Sequence, residues 1–139
     1  MSADPNCIFC KIASGEIPAA KIAESEHCFA ILDAFPAAKG HVLVISKDHR
    51  ENPLEMSAEE TSDCALLIQK TAAAVKKAAN CPGINIINNT GKPAGQVVMH
   101  AHYHILPRFE DDSFQMIYGK LELSPAEMEE IGNNIKKQF

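Results

Sequence analysis

The chain has 139 residues, 46% hydrophobic and 22% charged, the length and balance of one folded domain with a single ordinary core. That balance excludes a disordered chain, and no apolar run reaches the about twenty residues of a membrane-spanning helix. A formal net charge of −5 argues against nucleic-acid binding through bulk electrostatics, while a small phosphate ligand answers to the local field of a cleft. The five cysteines are an odd number with only Cys7 and Cys10 close together, which fits reduced thiols with a possible metal pair better than a disulfide framework. Met1-Ser-Ala-Asp-Pro-Asn6 has neither a basic nor an apolar segment, so a cytoplasmic protein with no membrane partner is expected. No repeat or linker divides the chain, and a single domain over 1–139 is expected.

In chain order, residues 1–6 read as a loose terminus. Cys7-Ile-Phe-Cys10 then leads into a short helical turn over Lys11–Pro18, closed near Gly15. Lys21-Ile-Ala-Glu-Ser25 reads as a short strand entering a turn, and Cys28–Asp33 as a strand apolar enough to be buried on both faces. After the loop Phe35–Gly40, His41–Ser46 is a strand of strong β-formers. Ser57-Ala-Glu-Glu60 is a capping box that starts the one long helix, to about Ala79. Cys64, Leu67, Ile68, Thr71, Ala72, Val75 and Ala79 recur at three- and four-residue steps as its buried stripe. Gly83–Asn89 is the next strand, and the glycine-rich Thr90–Gln96 connects it, hairpin fashion, to the histidine stretch. Ser124-Pro-Ala-Glu127 caps a last helix presenting Met128, Ile131 and Ile135.

The stretch Val98-Met-His100-Ala-His102-Tyr-His104-Ile-Leu106 carries the chemistry. Its period of two is a strand period, so His100, His102 and His104 would share one face, with Met99, Ala101, Tyr103 and Ile105 on the other. At about 3.3 Å per residue the outer imidazoles start roughly 13 Å apart, too far for all three to share one metal. A division of catalytic labour suits the row better. A neutral imidazole is a competent nucleophile at neutral pH, and His102 is flanked on both sides by triad partners.

His100-Ala-His102-Tyr-His104-Ile-Leu106 resembles the His-φ-His-φ-His-φ-φ signature of the histidine triad (HIT) family of nucleotide hydrolases and transferases. The likeness runs from Cys7-Ile-Phe-Cys10-Lys-Ile12 through Leu32-Asp33 and Gly40-His41-Val-Leu-Val-Ile45 to Asn89 and Gly95-Gln96, and is nearest the nucleotide-binding, Hint-like branch in its compact microbial form. It implies an α+β, HIT-like fold: a mainly antiparallel sheet of about five strands with one long and one C-terminal helix.

The resemblance also implies roles. His102 would attack the α-phosphorus of a nucleoside monophosphate ester or amide, and water would resolve the nucleotidyl-histidine. His104, Gln96 and the main-chain amides of Gly95 and its neighbours would meet the phosphoryl charge, with His41 in a supporting hydrogen-bonding role and the His100 carbonyl orienting His102. Asp33 would hold ribose hydroxyls, and Asn89, Gly95, Gln96 and Val97 occupy other nucleotide-contacting positions, although for Asp33 alone a turn-initiating aspartate is the better reading. Ile12, Phe29 and Ile31 could wall a base pocket, and a purine is the family expectation. In zinc-bearing members the positions of Cys7, Cys10, His49 and His100 hold one structural zinc per chain. A homodimer through the long helix and a sheet edge is implied as well.

Val97 departs from the pattern, standing where many Hint-branch members carry a serine or threonine thought to assist the leaving group. The expectation is therefore a purine nucleoside phosphoramidase. A dinucleoside polyphosphate hydrolase, a binding or interaction module with incidental hydrolysis, and a zinc protein using the triad as ligands remain as alternatives.

Overall fold

The computed structural model describes residues 2–139; Met1, the first residue of the expected loose terminus and of the expected domain, lies outside the described residues. Five strands form one sheet: β1 (Lys21–Glu24), β2 (Cys28–Leu32), β3 (Val42–Ser46), β4 (Gly83–Ile87) and β5 (His102–Arg108). Their order is β1-β2-β3-β5-β4, and every neighbouring pair is antiparallel. Among the described residues three α-helices complete the α+β fold, α1 (Ile8–Ala13), α2 (Ala58–Ala79) and α3 (Pro125–Lys136). No helix is long and apolar enough to cross a membrane, among the described residues.

The run of apolar residues in β2 and β3 has the expected cause: both faces of the central strands are covered. On one face Cys28, Ala30, Val42, Val44 and Ile105 pack against Cys64, Leu67 and Val75 of α2. On the other, Phe29, Ile31, Leu43 and Ile45 pack against Cys7, Phe9 and Cys10 around α1. Directly opposed residues of an antiparallel pair point to the same side. The register pairs Leu43 with His104 and Ile45 with His102, so both histidines stand on the α1 face.

The expected stripe of α2 is realised at Cys64, Leu67, Thr71 and Val75, with Ile68 and Ala72 packed beside it and Ala79 half-buried. Its capping box is formed at both ends, Ser57 Oγ accepting from Glu60 N and Glu60 Oε2 from Ser57 N. Asn80, in the left-handed region at φ 48°, closes the helix. The α3 capping box at Ser124 and Glu127 is likewise formed, but Met128, Ile131 and Ile135 all face outward.

Three expectations need correction. Ser2 is tied down, donating its N–H to Asp48 Oδ1 and accepting from His49 N, so the segment before Cys7 is not loose from that residue on. The first helix begins at Ile8 rather than after Cys10, with Cys7 at its N-cap position. The histidine strand begins at His102, not Val98. Before it the chain turns: His100 N donates to Val98 O, and Ala101 N is drawn to Arg50 O at 2.7 Å. Alternation reads the same in sequence whether or not the backbone is extended, so it could not reveal that His100 leaves the shared face.

Glu60 has a second function that its place in the capping box hides. Its carboxylate is buried and receives Arg50 Nε and Nη2 at 3.0–3.2 Å, which lowers its pKa chiefly through that hydrogen bonding. The start of α2 is thereby tied to the segment that precedes Ala101 in space. Glu60→Ala removes a cap and leaves Arg50 only its longer contact with Asp48, at 3.9 Å, and should cost about 2 kcal/mol in denaturant unfolding with an unchanged m-value. A loss under about 0.5 kcal/mol would show that the tie carries no stability.

Candidate active site

The turn before β5 gives His100 two opposed tasks. Its carbonyl lies 2.6 Å from His102 Nδ1. A carbonyl only accepts, so Nδ1 of a neutral His102 carries the proton and Nε2 keeps its lone pair. Burial lowers the His102 pKa, opposed by the His100 carbonyl and the Asp33 charge. Asn88 Nδ2 donates to His102 O at 3.0 Å, and Thr90 Oγ1 holds Asn88 in turn. Phe9 packs edge-on against both rings, its centroid 5.1 Å from that of His102 and 5.8 Å from that of His100.

The His100 ring faces away from that contact and is wholly buried. Its Nε2 donates to Ser46 O at 2.7 Å, because a carbonyl again can only accept. Nδ1 is then the free nitrogen, 3.3 Å from Cys7 Sγ and 3.5 Å from Cys10 Sγ. His49 Nδ1 is 3.4 Å from Cys10 Sγ. Sulfur and nitrogen ligands on a tetrahedral zinc are roughly 3.5 Å apart. The four side chains named from the sequence thus converge, with a donor set and a proton arrangement that fit the metal.

His104 stands beside His102, ring centroids 5.2 Å apart. Burial, reinforced by the neighbouring His102 and His41, brings its pKa down to about 4. His41 Nε2 lies 2.9 Å from His104 Nδ1 and 3.4 Å from Asp33 Oδ2, and burial lowers the His41 pKa against the pull of Asp33. The three come from different strands or strand ends, so only the sheet register brings them together.

A cleft of about 760 Å³ opens on this row, within the range of small-molecule sites. Ile8, Ile12, Ile17 and Ile31 give it an apolar end, and Asp33, Asn89, Gly95, His102 and His104 a polar one. Phe35 and Val97, 91% and 88% exposed, stand at its rim. Gly95 sits at φ +96°, a conformation that side-chain-bearing residues rarely adopt, at the close of a 3₁₀ turn over Lys92–Ala94.

Two expected contacts are absent from the cleft. Gln96 is buried outside it, its side chain bonded to Gly91 N, Glu51 O and Val98 O and its own N–H to Gly91 O. It holds the loop that shapes the cleft and has no free donor for a phosphate. Phe29 lies in the core instead of the pocket wall, while Ile12 and Ile31 do line it. The sequence reading missed Phe9, the Ser46 carbonyl and Asn88. A main-chain acceptor leaves no mark on residue identity, whereas Asn88-Asn89-Thr90 did offer a polar cluster just past a strand.

Residues 14–111 match the HIT domain model. An uncharacterized HIT-like protein of Methanocaldococcus jannaschii is 43% identical over 94% of this chain and 98% of its own length. The adenosine 5′-monophosphoramidase of Schizosaccharomyces pombe is 37% identical over 96% of this chain and 98% of its own. The crystal structure of SMU.412c from Streptococcus mutans superposes with a TM-score of 0.93 at 40% identity, covering 99% of this chain and 87% of that one. The fold is the HIT fold, and the chain belongs to the HIT family.

Proposed function

We propose that the protein hydrolyses purine nucleoside 5′-phosphoramidates, or related nucleotide conjugates, through a covalent nucleotidyl-histidine. The observation that carries this reading is the 2.6 Å contact between His102 Nδ1 and the His100 carbonyl. It supports a neutral ring with an unprotonated Nε2, on a residue that lines a nucleotide-sized cleft. The similarity to a relative named as an adenosine 5′-monophosphoramidase supports the choice of substrate class.

In this reading His102 Nε2 bonds to the α-phosphorus while the P–N bond breaks, and the departing amine keeps the bonding pair and takes up a proton. Water then attacks the same phosphorus and gives up a proton to solvent while the P–Nε2 bond breaks with its pair returning to the ring, releasing the nucleoside monophosphate and restoring neutral His102. His104 donates to a non-bridging oxygen, where charge builds, and main-chain amides near Gly95 add to it. Asp33 receives the ribose hydroxyls, Asn89 steadies the nucleotide, and the isoleucine end of the cleft takes the base. Val97 offers the leaving group no hydroxyl, which favours leaving groups that need little help.

Cys7, Cys10, His49 and His100 hold one structural zinc in this proposal. Its contribution is to tie α1 and the segment after β3 to the turn that carries His100, and its ligand thiols are then thiolates. Metal analysis should find one zinc per chain. Cys10→Ser should weaken zinc binding by more than the roughly 10–100-fold that outer hydrogen-bond partners of a metal ligand contribute. Zinc retained at full affinity in that variant would reject the site.

A homodimer is part of the same reading. It is supported by the edge position of β4, by the outward Leu66 of α2, and by the apolar residues Ile117, Tyr118, Leu121, Met128 and Ile131 left exposed along the C-terminal arm. A sedimentation mass of one chain at micromolar concentration would contradict it.

The activity test is turnover of adenosine 5′-monophosphoramidate by the native chain and by His102→Ala. The expected outcome is hydrolysis that falls by at least about 10³-fold in the variant. Binding of AMP without turnover by the native chain would instead favour a binding module, and Val97 would be the first residue to restore to serine.

A further inference from the structure

His41 holds a position that the proposed reaction does not by itself explain. Its ring is buried at the head of β3, out of line with His102 but in contact with His104. Asp33 Oδ2, His41 Nε2 and His104 Nδ1 lie within 4.8 Å of one another, a donor set that would also suit a divalent cation.

Two observations separate a cation from a proton at that point. His41 Nδ1 is 3.0 Å from the main-chain N–H of Ala37. An amide N–H only donates, so Nδ1 must present a lone pair, and a neutral His41 carries its proton on Nε2. A protonated nitrogen cannot ligate a metal. The 2.9 Å separation of His41 Nε2 and His104 Nδ1 is a hydrogen-bond length, shorter than the roughly 3.3 Å between two nitrogens on a tetrahedral zinc.

The loop that supplies the amide is closed on itself and held in place. Asp33 N donates to His41 O, His41 N to Ala38 O, and Phe35 N to Asp33 Oδ1. Burial keeps both imidazoles neutral at pH 7, the His104 pKa being about 4 and that of His41 also lowered. Each ring then has a single proton, and one acceptor contact decides where it sits.

We infer that the Phe35–Gly40 loop sets the tautomer of His104: Ala37 N–H donates to His41 Nδ1, His41 Nε2–H donates to His104 Nδ1, and the His104 proton is left on Nε2. Ala37 and His41 are thus positioning residues. Neither touches substrate, and both act on the ring that does. The inference rests on the proposed reaction only for its purpose, since a donor on Nε2 is what a charged phosphoryl oxygen requires. The tautomer is a property of the resting protein.

Nitrogen-15 NMR of the full native chain tests it. Ring nitrogen shifts should report Nε2–H tautomers for His41 and His104. Through-bond N–N couplings should link Ala37 N to His41 Nδ1 and His41 Nε2 to His104 Nδ1. Ala37→Pro deletes the first donor, and His41→Phe deletes both ring nitrogens while keeping an aromatic ring, should the proline disturb the loop. In either variant His104 should populate both tautomers, and kcat for the phosphoramidate should fall on the order of tenfold with KM nearly unchanged.

An Nδ1–H tautomer of His104 in the native chain would overturn the inference. So would a single Nε2–H tautomer persisting in the folded variants, or a second equivalent of zinc that binds the native chain and is lost in His41→Phe. The predicted tautomers and couplings in a native chain that fails to turn over the phosphoramidate would uphold the inference while rejecting the reaction.

Discussion

The contact between the His100 carbonyl and the His102 ring is the constraint on which the site depends. A main-chain oxygen cannot donate, so it fixes the protonated nitrogen of His102 without any change in charge. Its strength matters less than its direction: a typical hydrogen bond contributes only about 1 kcal/mol net, but one that only one tautomer can make also selects that tautomer. The carbonyl must therefore be held in place, and the fold does so through the other end of the same residue. The His100 ring is anchored by Ser46 O and by the two thiols near α1, with no exposed surface.

The elements around the cleft serve that anchoring. Arg50 O receives Ala101 N, Ala101 O receives Ser46 N, and Glu51 O receives Gln96, so the segment after β3 braces both the turn at His100 and the glycine loop. Arg50 in turn is paired with Glu60 at the start of α2. The long helix touches no substrate, yet its first turn connects through two side chains and a carbonyl to the residue beside His102. This is how a scaffold helix bears on chemistry at the opposite face of the sheet.

Most of the fold was legible in the residues because its signals are local. The capping boxes at Ser57 and Ser124, the stripe of α2 and the β-formers of β2 and β3 each depend on residue type at short spacing. The His100 carbonyl was expected to orient His102, and it does, but legibility failed at two other main-chain groups. The strand start at His102 is set by Ala101 N reaching Arg50 O, and His100 is turned by Ser46 O. Gln96 failed for a related reason: its type suits a ligand contact, but three main-chain partners had already used its side chain. Of the Cys7, Cys10, His49 and His100 cluster the cysteine pair was legible from its spacing, but His49 and His100 became readable only through the family resemblance, since they lie far from that pair in the chain and meet it only in the fold.

Reaction through a covalent bond to His102 is tested most directly by the stereochemistry at phosphorus. An adenosine 5′-phosphoramidothioate of one configuration at phosphorus, hydrolysed by the native chain in oxygen-18 water, gives a product whose configuration can be assigned. Two successive in-line displacements predict overall retention. Inversion would mean that water attacks the substrate directly, and the geometry at His102 would then need another explanation.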